Sequence, residues 1–325
     1  MSVKVVIIGA RGYTGSELLP LLDGHPDCSI SAVGSSSAAG EPIAKHIAGL
    51  SDSSLVFSDI RPETIEDFPA DLYVLALPNG RAAEFVNAID SYRPGAVIID
   101  LSADYRFDAA WVYGQPERFS ADIQNATRIA NPGCYATGAQ LALAPLVEHL
   151  TAVPVVFGLS GYSGAGKTPS RKNDQEVLRD NVLPYALVNH VHEREVSRHL
   201  AHEIRFLPHV ASFFRGISLS ISLELDQNLD ADAAFRHYEA FYADCPLIDV
   251  HQGIPEVVEV RGSHKVLIGG FSASPETPRH LSLVCVLDNL LKGAATQVIQ
   301  NLNLAFGLPL LTGLEAAPNK SGGNV

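Results

Sequence analysis

The feature that most constrains this chain is a β-rich run, Val3–Ile8, passing directly into Gly9-Ala10-Arg11-Gly12-Tyr13-Thr14-Gly15. Glycines in this G-x-x-G-x-x-G spacing let a backbone turn tightly and approach a pyrophosphate, whose charge meets the N–H groups of the following helix. The pattern is weak alone. At the first strand-to-helix junction of a βαβ unit, with the helix read as opening at Ser16, it predicts a dinucleotide site rather than a bare turn.

The rest of the first half supports that context. Val3–Ile8, Ser29–Val33, Leu72–Leu77, Ala96–Asp100 and Thr127–Ala130 read as strands, and Ser16–Leu22, Arg81–Ile89 and Thr137–His149 as helices between them. Alternation of this kind specifies a doubly wound parallel sheet, a Rossmann-like α/β domain. From about Pro154 the pattern changes to Val155–Leu159, Ile217–Leu225, Val257–Val260 and Leu281–Leu287, strands with little helix between them, which predicts a second α+β domain on a mainly antiparallel sheet. A helix beginning in Asp288–Gln297 is expected to return to the first domain. The predicted boundaries are residues 1–150 with 288–325 for the cofactor domain and 151–287 for the second, with a frayed tail at Pro318–Val325.

The second strand ends in Val33-Gly34-Ser35-Ser36-Ser37, where an enzyme using NAD would place an acidic residue on the ribose. Ser35 and Ser36 can donate to a 2′-phosphate and Arg11 can add positive charge, so NADP(H) is the expected cofactor. Pro78 and Asn79, at another strand's carboxyl end, fall on the same sheet edge, where ligands of open α/β sheets collect.

Cys134, in Asn131-Pro132-Gly133-Cys134-Tyr135-Ala136-Thr137, falls in the first turn of a helix, where the dipole favours a thiolate. It is the expected nucleophile and is placed on that same edge. Cys28 on a loop, Cys245 before Pro246 and Cys285 in an apolar strand lack such a setting. The four cysteines form no C-x-x-C pair, so neither a disulfide framework nor a cysteine zinc site is suggested.

Among twelve histidines, His190 and His192 in Asn189–Glu195 stand out. Read as an extended segment, the stretch aims both rings one way, so that either could relay a proton to Cys134 or to a substrate oxygen. A half metal site and a plain polar turn are the alternatives, and no metal is expected. Arg106, after Asp100-Leu101-Ser102, and Arg215, before Ile217, are candidates for holding a phosphate or carboxylate. Surface ion pairs are their bland reading.

Gly161–Thr168 fits G-x-x-x-x-G-K-[ST], but Pro169-Ser170-Arg171-Lys172-Asn173-Asp174 starts a helix poorly and the loop lies outside the parallel sheet. It is read as a glycine-rich loop beside the active site, with Ser163 and Gly164 facing substrate, rather than as an ATP site. Charge narrows the partners: 23 Lys+Arg against 36 Asp+Glu give −13, which repels nucleic acid and anionic lipid at long range. The opening Met1-Ser2-Val3-Lys4 has no signal-peptide layout, and no apolar run is long enough to span a bilayer. A cytoplasmic protein acting on a small molecule is expected.

Taken together, Gly9–Gly15, Ala76–Asn79, Asp100–Arg106, Asn131–Thr137, Ser160–Lys167, His190–Glu195, Phe206–His209 and Asp288–Gln297 resemble the N-acetyl-γ-glutamyl-phosphate reductase family, relatives of aspartate-semialdehyde dehydrogenase. The likeness is greatest to its fungal form, through Ile129–Gly138 and Tyr185–Glu195. The resemblance implies an arginine-biosynthesis enzyme that reduces an acyl phosphate to an aldehyde through a thioester on Cys134. It further implies NADPH in the first domain and dimer or tetramer contacts in the second. By the same match His192 is the acid/base, His190 a substrate contact, and Asn289 lies near the nicotinamide. Aspartate-semialdehyde dehydrogenase chemistry and a non-catalytic NADP-binding protein are the competing readings.

Overall fold

The computed structural model describes residues 2–52 and 54–314; the expected frayed tail, Pro318–Val325, lies outside the described residues. The chain forms two compact units, one up to Pro132 and again from Ala294 onward, the other Gly133–Gly293.

The first unit carries strands β1 (Val3–Ile8), β2 (Cys28–Gly34), β3 (Phe57–Ser58), β4 (Leu72–Leu75), β5 (Val97–Asp100), β6 (Val112–Tyr113) and β7 (Arg128–Ala130), with helices α1 (Tyr13–Asp23), α2 (Ala82–Tyr92) and α3 (Pro116–Ile123). The strands run parallel in the order β3-β2-β1-β4-β5-β7-β6. Order reversal after β1 makes the doubly wound arrangement whose switch point lies at the carboxyl ends of β1 and β4. Every residue of β4 and β5 is buried, as a parallel sheet covered on both faces requires. Helix α1 begins at Tyr13, not Ser16, so Tyr13 and Thr14 belong to its first turn. The cause is steric. Gly15 lies so close to the backbone of Ala10 that a Cβ would fall 2.3 Å from the Ala10 carbonyl oxygen, and this lets the helix start inside the glycine loop.

In the second unit, α4 (Cys134–Leu143) leads to β8 (Val155–Gly161), then a single turn α5 (Gln175–Leu178), β9 (Leu183–Pro184), α6 (Val191–Leu200), β10 (Arg205–Ala211), β11 (Ile217–Glu224), α7 (Ala231–Phe241), β12 (Ile248–His251), a second single turn α8 (Val257–Val260), β13 (Val266–Ser274) and β14 (Thr277–Leu287). The strand order is β12-β13-β14-β11-β8-β10-β9. The β8–β10 and β12–β13 pairs are parallel and the other four antiparallel, so the sheet is mainly antiparallel as the sequence implies. Alternation along β11 buries Ile217, Leu219, Ile221 and Leu223 on one face and turns its serines to the other.

Several expectations need correction. Val257–Val260 is a helical turn, held by Glu259, whose carboxylate accepts the Glu256 backbone N–H at 2.5 Å. The unit is not poor in helix: α6 and α7 span 10 and 11 residues. The last helix, α9 (Thr296–Ala305), follows a wide π-turn at Leu291–Ala295 and packs on α1, α3 and β5 of the first unit. Finally, the division falls at 132/133 and 293/294 rather than at 150/151 and 287/288. The reason is α4, buried all round from Tyr135 to Leu143 against the sheet of the second unit. Gly138 permits that approach, since a Cβ there would come within 2.8 Å of the Leu219 and Leu287 side chains.

Candidate active site

The glycine loop presents the chemistry its spacing implies. Gly9, at φ 87°, passes so close to β4's end that a Cβ would sit 2.4 Å from the Ala76 carbonyl oxygen. Gly12, the N-cap of α1, has nothing within 4 Å of where its Cβ would be, so a ligand can lie against the opening turn. Beside it is a cavity of ≈ 540 Å³ over the carboxyl ends of β1, β2 and β4, lined by Gly9, Gly34, Ser35, Ser36, Leu77 and Pro78 among others. Arg11 donates to the Ser37 hydroxyl at 2.7 Å, placing a guanidinium beside the serine run after β2. Asn79 does not line this cavity; its side-chain oxygen accepts the Ala103 N–H at 3.0 Å, while Asp104 accepts the Gly80 N–H at 2.7 Å, locking two loops together. Arg61 and Arg81 also line it and carried no motif signal beyond Arg81's place just after Pro78-Asn79-Gly80.

Cys134 is the first residue of α4, with Gly133 as N-cap. The Gly133 N–H is taken by the fully buried Glu195 carboxylate of α6 at 2.8 Å, and the Gly133 carbonyl accepts from both the Thr137 N–H (2.8 Å) and the Thr137 hydroxyl (3.0 Å). The turn before the thiol is thus fixed from both sides. Gly293 packs against it; a Cβ there would meet the Cys134 Cβ at 2.8 Å. Two of the other cysteines have settings that oppose ionisation: burial, followed by the charge of Asp27, pushes the Cys28 thiol up to about 12, and burial raises that of Cys285 still further. Cys28 opens β2 rather than lying in a loop.

A cavity of ≈ 40 Å³ adjoins the thiol, lined by Cys134, Tyr135, Ser160, Gly161, Gly164, Ala165, Lys172, Tyr185, His192 and Val210. Its walls come from α4, the end of β8 and the start of α6. Gly158 on β8 leaves space for the rings of Tyr135 and Phe206, each 2.7 Å from where its Cβ would lie. The Tyr135 hydroxyl then donates to the His209 carbonyl at 2.7 Å.

His190 and His192 are not on an extended segment. His190 is the N-cap of α6, its Nδ1 accepting the His192 N–H at 3.1 Å, and His192 stands in the first turn. That bond gives Nδ1 of His190 to the helix rather than to a metal. The rings pack at 4.9 Å, and His192 reaches Tyr135 at 5.9 Å. Burial, and then the charge of Lys172, lowers the His190 pKa to about 4, so the ring is neutral at pH 7.

The remaining candidates are engaged in binding the scaffold. Arg106 donates to the carbonyls of Asn131 (2.9 Å) and Leu101 (2.8 Å). Arg215 makes a bidentate pair with buried Asp288 at 2.6 and 3.0 Å. Asn289 donates to the Ser163 hydroxyl at 2.9 Å and accepts the Gly216 N–H at 2.7 Å. Of the Gly161–Thr168 loop, Gly161, Gly164 and Ala165 line the thiol cavity while Ser163 does not; a 3-10 turn at Tyr162–Ala165, not a helix, follows β8, unlike a P-loop.

Comparison with known proteins agrees with this geometry. A family model described as semialdehyde dehydrogenase, NAD binding domain, matches residues 4–126, and one described as semialdehyde dehydrogenase, dimerisation domain, matches residues 134–289. The N-acetyl-gamma-glutamyl-phosphate reductase of Xanthomonas campestris pv. campestris (strain B100) is 49% identical over 308 residues, 95% of this chain and 97% of that protein. The chain belongs to the N-acetyl-γ-glutamyl-phosphate reductase family. Another such reductase, from Xylella fastidiosa (strain M23), is 49% identical across 96% of this chain and 95% of its own length. This reductase chain shares its fold with aspartate semialdehyde dehydrogenase II of Vibrio cholerae complexed with ASA, at TM-score 0.77 and 18% identity over 94% of this chain and 99% of that one. The Candida albicans aspartate semialdehyde dehydrogenase with NADP gives 0.71 at 16% identity, over 94% and 99%. Among the described residues no helix is long and apolar enough to cross a membrane.

The depressed His190 pKa makes a stability prediction. The unfolded chain takes up a proton near pH 6.5 and the folded chain only near 4, so stability is lost as pH falls through that window. His190→Asn retains an N-capping acceptor but no titration, so its stability relative to the native chain should rise by about 1–3 kcal/mol between pH 6.5 and 4. Urea unfolding across that range checks this; a constant difference would contradict it.

Proposed function

We propose that the chain reduces N-acetyl-γ-glutamyl phosphate to N-acetylglutamate semialdehyde and phosphate, using NADPH and a thioester on Cys134, as a step of arginine biosynthesis. The observation that carries this reading is Cys134 at the tip of α4, opening onto a cavity shared with His192, in a member of this reductase family. Cys134 attacks the acyl carbon and phosphate departs, splitting one difficult displacement into two easier ones. His192 accepts the thiol proton and later returns a proton to the product side. Cys134 and His192 are the catalytic residues, with Gly164 and His190 toward the substrate. A nicotinamide held by the glycine loop would supply a hydride to the thioester carbonyl; the carbon–sulfur bond then breaks, its electron pair returning to Cys134 as the aldehyde leaves.

Gly9, Arg11, Gly12, Tyr13, Thr14, Gly15, Ser35, Ser36 and Pro78 bind the dinucleotide. The contact of Arg11 with Ser37 supports NADPH over NADH, because it puts a fixed positive charge beside hydroxyls where a 2′-phosphate is read. Asn79 and Asn289 serve by holding loops, and Arg106 and Arg215 by holding backbone and Asp288. The match to a dimerisation domain supports a homodimer or homotetramer. The subunit works in the cytoplasm.

In the reverse direction the native chain should reduce NADP with N-acetylglutamate semialdehyde and phosphate and act far more slowly on aspartate semialdehyde. Cys134→Ser should remove this turnover, by at least about 10³-fold, while leaving NADP binding intact. Equal rates on both aldehydes, or a serine variant with substantial activity, would refute the assignment. Replacing Arg11 with Ala should raise KM for NADPH by about tenfold and leave that for NADH nearly unchanged; equal effects on both cofactors would remove the role given to Arg11.

A further inference from the structure

The cavity beside Cys134 contains a cation that no motif pointed to. Lys172 lines it together with Cys134, His192, Tyr185 and Gly164. Its ammonium lies 4.8 Å from the Tyr185 ring centroid, and among the described residues no carboxylate pairs with it. The arginines expected to receive anions are committed to backbone carbonyls and to Asp288. An ammonium on the wall of a small cavity, with an aromatic face but no carboxylate partner among the described residues, attracts an anion strongly.

We infer that Lys172 binds the phosphoryl group that is displaced when Cys134 attacks, and inorganic phosphate at the same place in the reverse direction. The inference rests on the acyl-phosphate reading above. Covalent distance selects the phosphoryl group over the substrate's α-carboxylate: phosphorus is one oxygen away from the carbon under attack, whereas three carbons intervene before the carboxylate. In a cavity of ≈ 40 Å³ an anion beside the sulfur is the nearer of the two. As the sulfur–carbon bond forms, the carbon–oxygen bond breaks and its electron pair stays on the departing oxygen. The thiol proton, relayed by His192, completes hydrogen phosphate. Lys172 offsets the charge that grows on that oxygen, in a place where an ammonium is worth more than in water. The depressed His190 pKa agrees, since after burial the charge of Lys172 is the next cause of it.

The test is initial-rate kinetics in the direction that consumes inorganic phosphate, on the full chain. Lys172→Ala should raise KM for phosphate by about tenfold or more, with KM for the semialdehyde and for NADP within about twofold of native, and Lys172→Arg should recover most of the loss. A phosphate KM that does not move would overturn the inference. So would an increase confined to the semialdehyde KM, which would put the carboxylate at Lys172. If the alanine variant does not fold, Lys172→Gln can be read by phosphate protection of Cys134 against iodoacetamide: protection lost supports the assignment, protection retained defeats it. A native chain with no phosphate-dependent turnover sinks the acyl-phosphate reading itself, whereas native turnover with an unaffected variant sinks only the role of Lys172.

Discussion

The hydrogen bond from the Gly133 N–H to the Glu195 carboxylate organises the chemistry of the second unit. A helix N-terminus leaves backbone N–H groups without helical partners, and a buried carboxylate placed there is stabilised by both the hydrogen bond and the dipole, by up to about 2 kcal/mol. Glu195 is fully buried, so its oxygens need that contact and the neighbours that share its site. Because His192 precedes it by three residues on α6, the same bond that fixes the start of α4 also fixes the face from which the imidazole approaches the thiol cavity. Cys134 and His192 are set by two helices clamped end to side.

The rest of the second unit is arranged to keep that clamp in register. Helix α4 is buried on every side, with Gly138 allowing it to approach β11 and β14, and Gly293 admitting the Cys134 backbone. Asp288 shows the same economy of position: it accepts both Arg215 nitrogens and the backbone N–H groups of Gly262, Leu290 and Leu291, which sets the chain before the π-turn at Leu291–Ala295. Arg106 and Arg215, candidates for anion binding in the sequence, also tie loops together.

Much of the architecture was legible because it rests on local signals. The parallel strands are short apolar runs separated by amphipathic helices, and the glycine loop stands where a βαβ unit needs it. Cys134 was legible because Pro132 and Gly133 mark a helix start. What was missed depends on contacts distant in sequence or on unusual caps. Helix α6 is polar, and its cap is a histidine rather than Ser or Asp, so His190 and His192 read as an extended pair. Val257-Val258-Glu259-Val260 has strand composition, but Glu256 and Glu259 cap it and bury Val260 instead. The role of Glu195 depends on a backbone group 62 residues earlier, and Lys172 sits in an aperiodic loop. No local pattern reports either.

The claim on which all of this depends is that the acyl group passes through the sulfur of Cys134. The direct measurement is to mix the chain with N-acetyl-γ-glutamyl phosphate in the absence of nicotinamide cofactor, quench in acid and map the adduct by peptide mass spectrometry. The account predicts one N-acetylglutamyl group on the peptide bearing Cys134, released by hydroxylamine as a thioester is, with stoichiometric phosphate formed in the burst. Phosphate release without an adduct on that peptide, or an adduct on any other side chain, would contradict it.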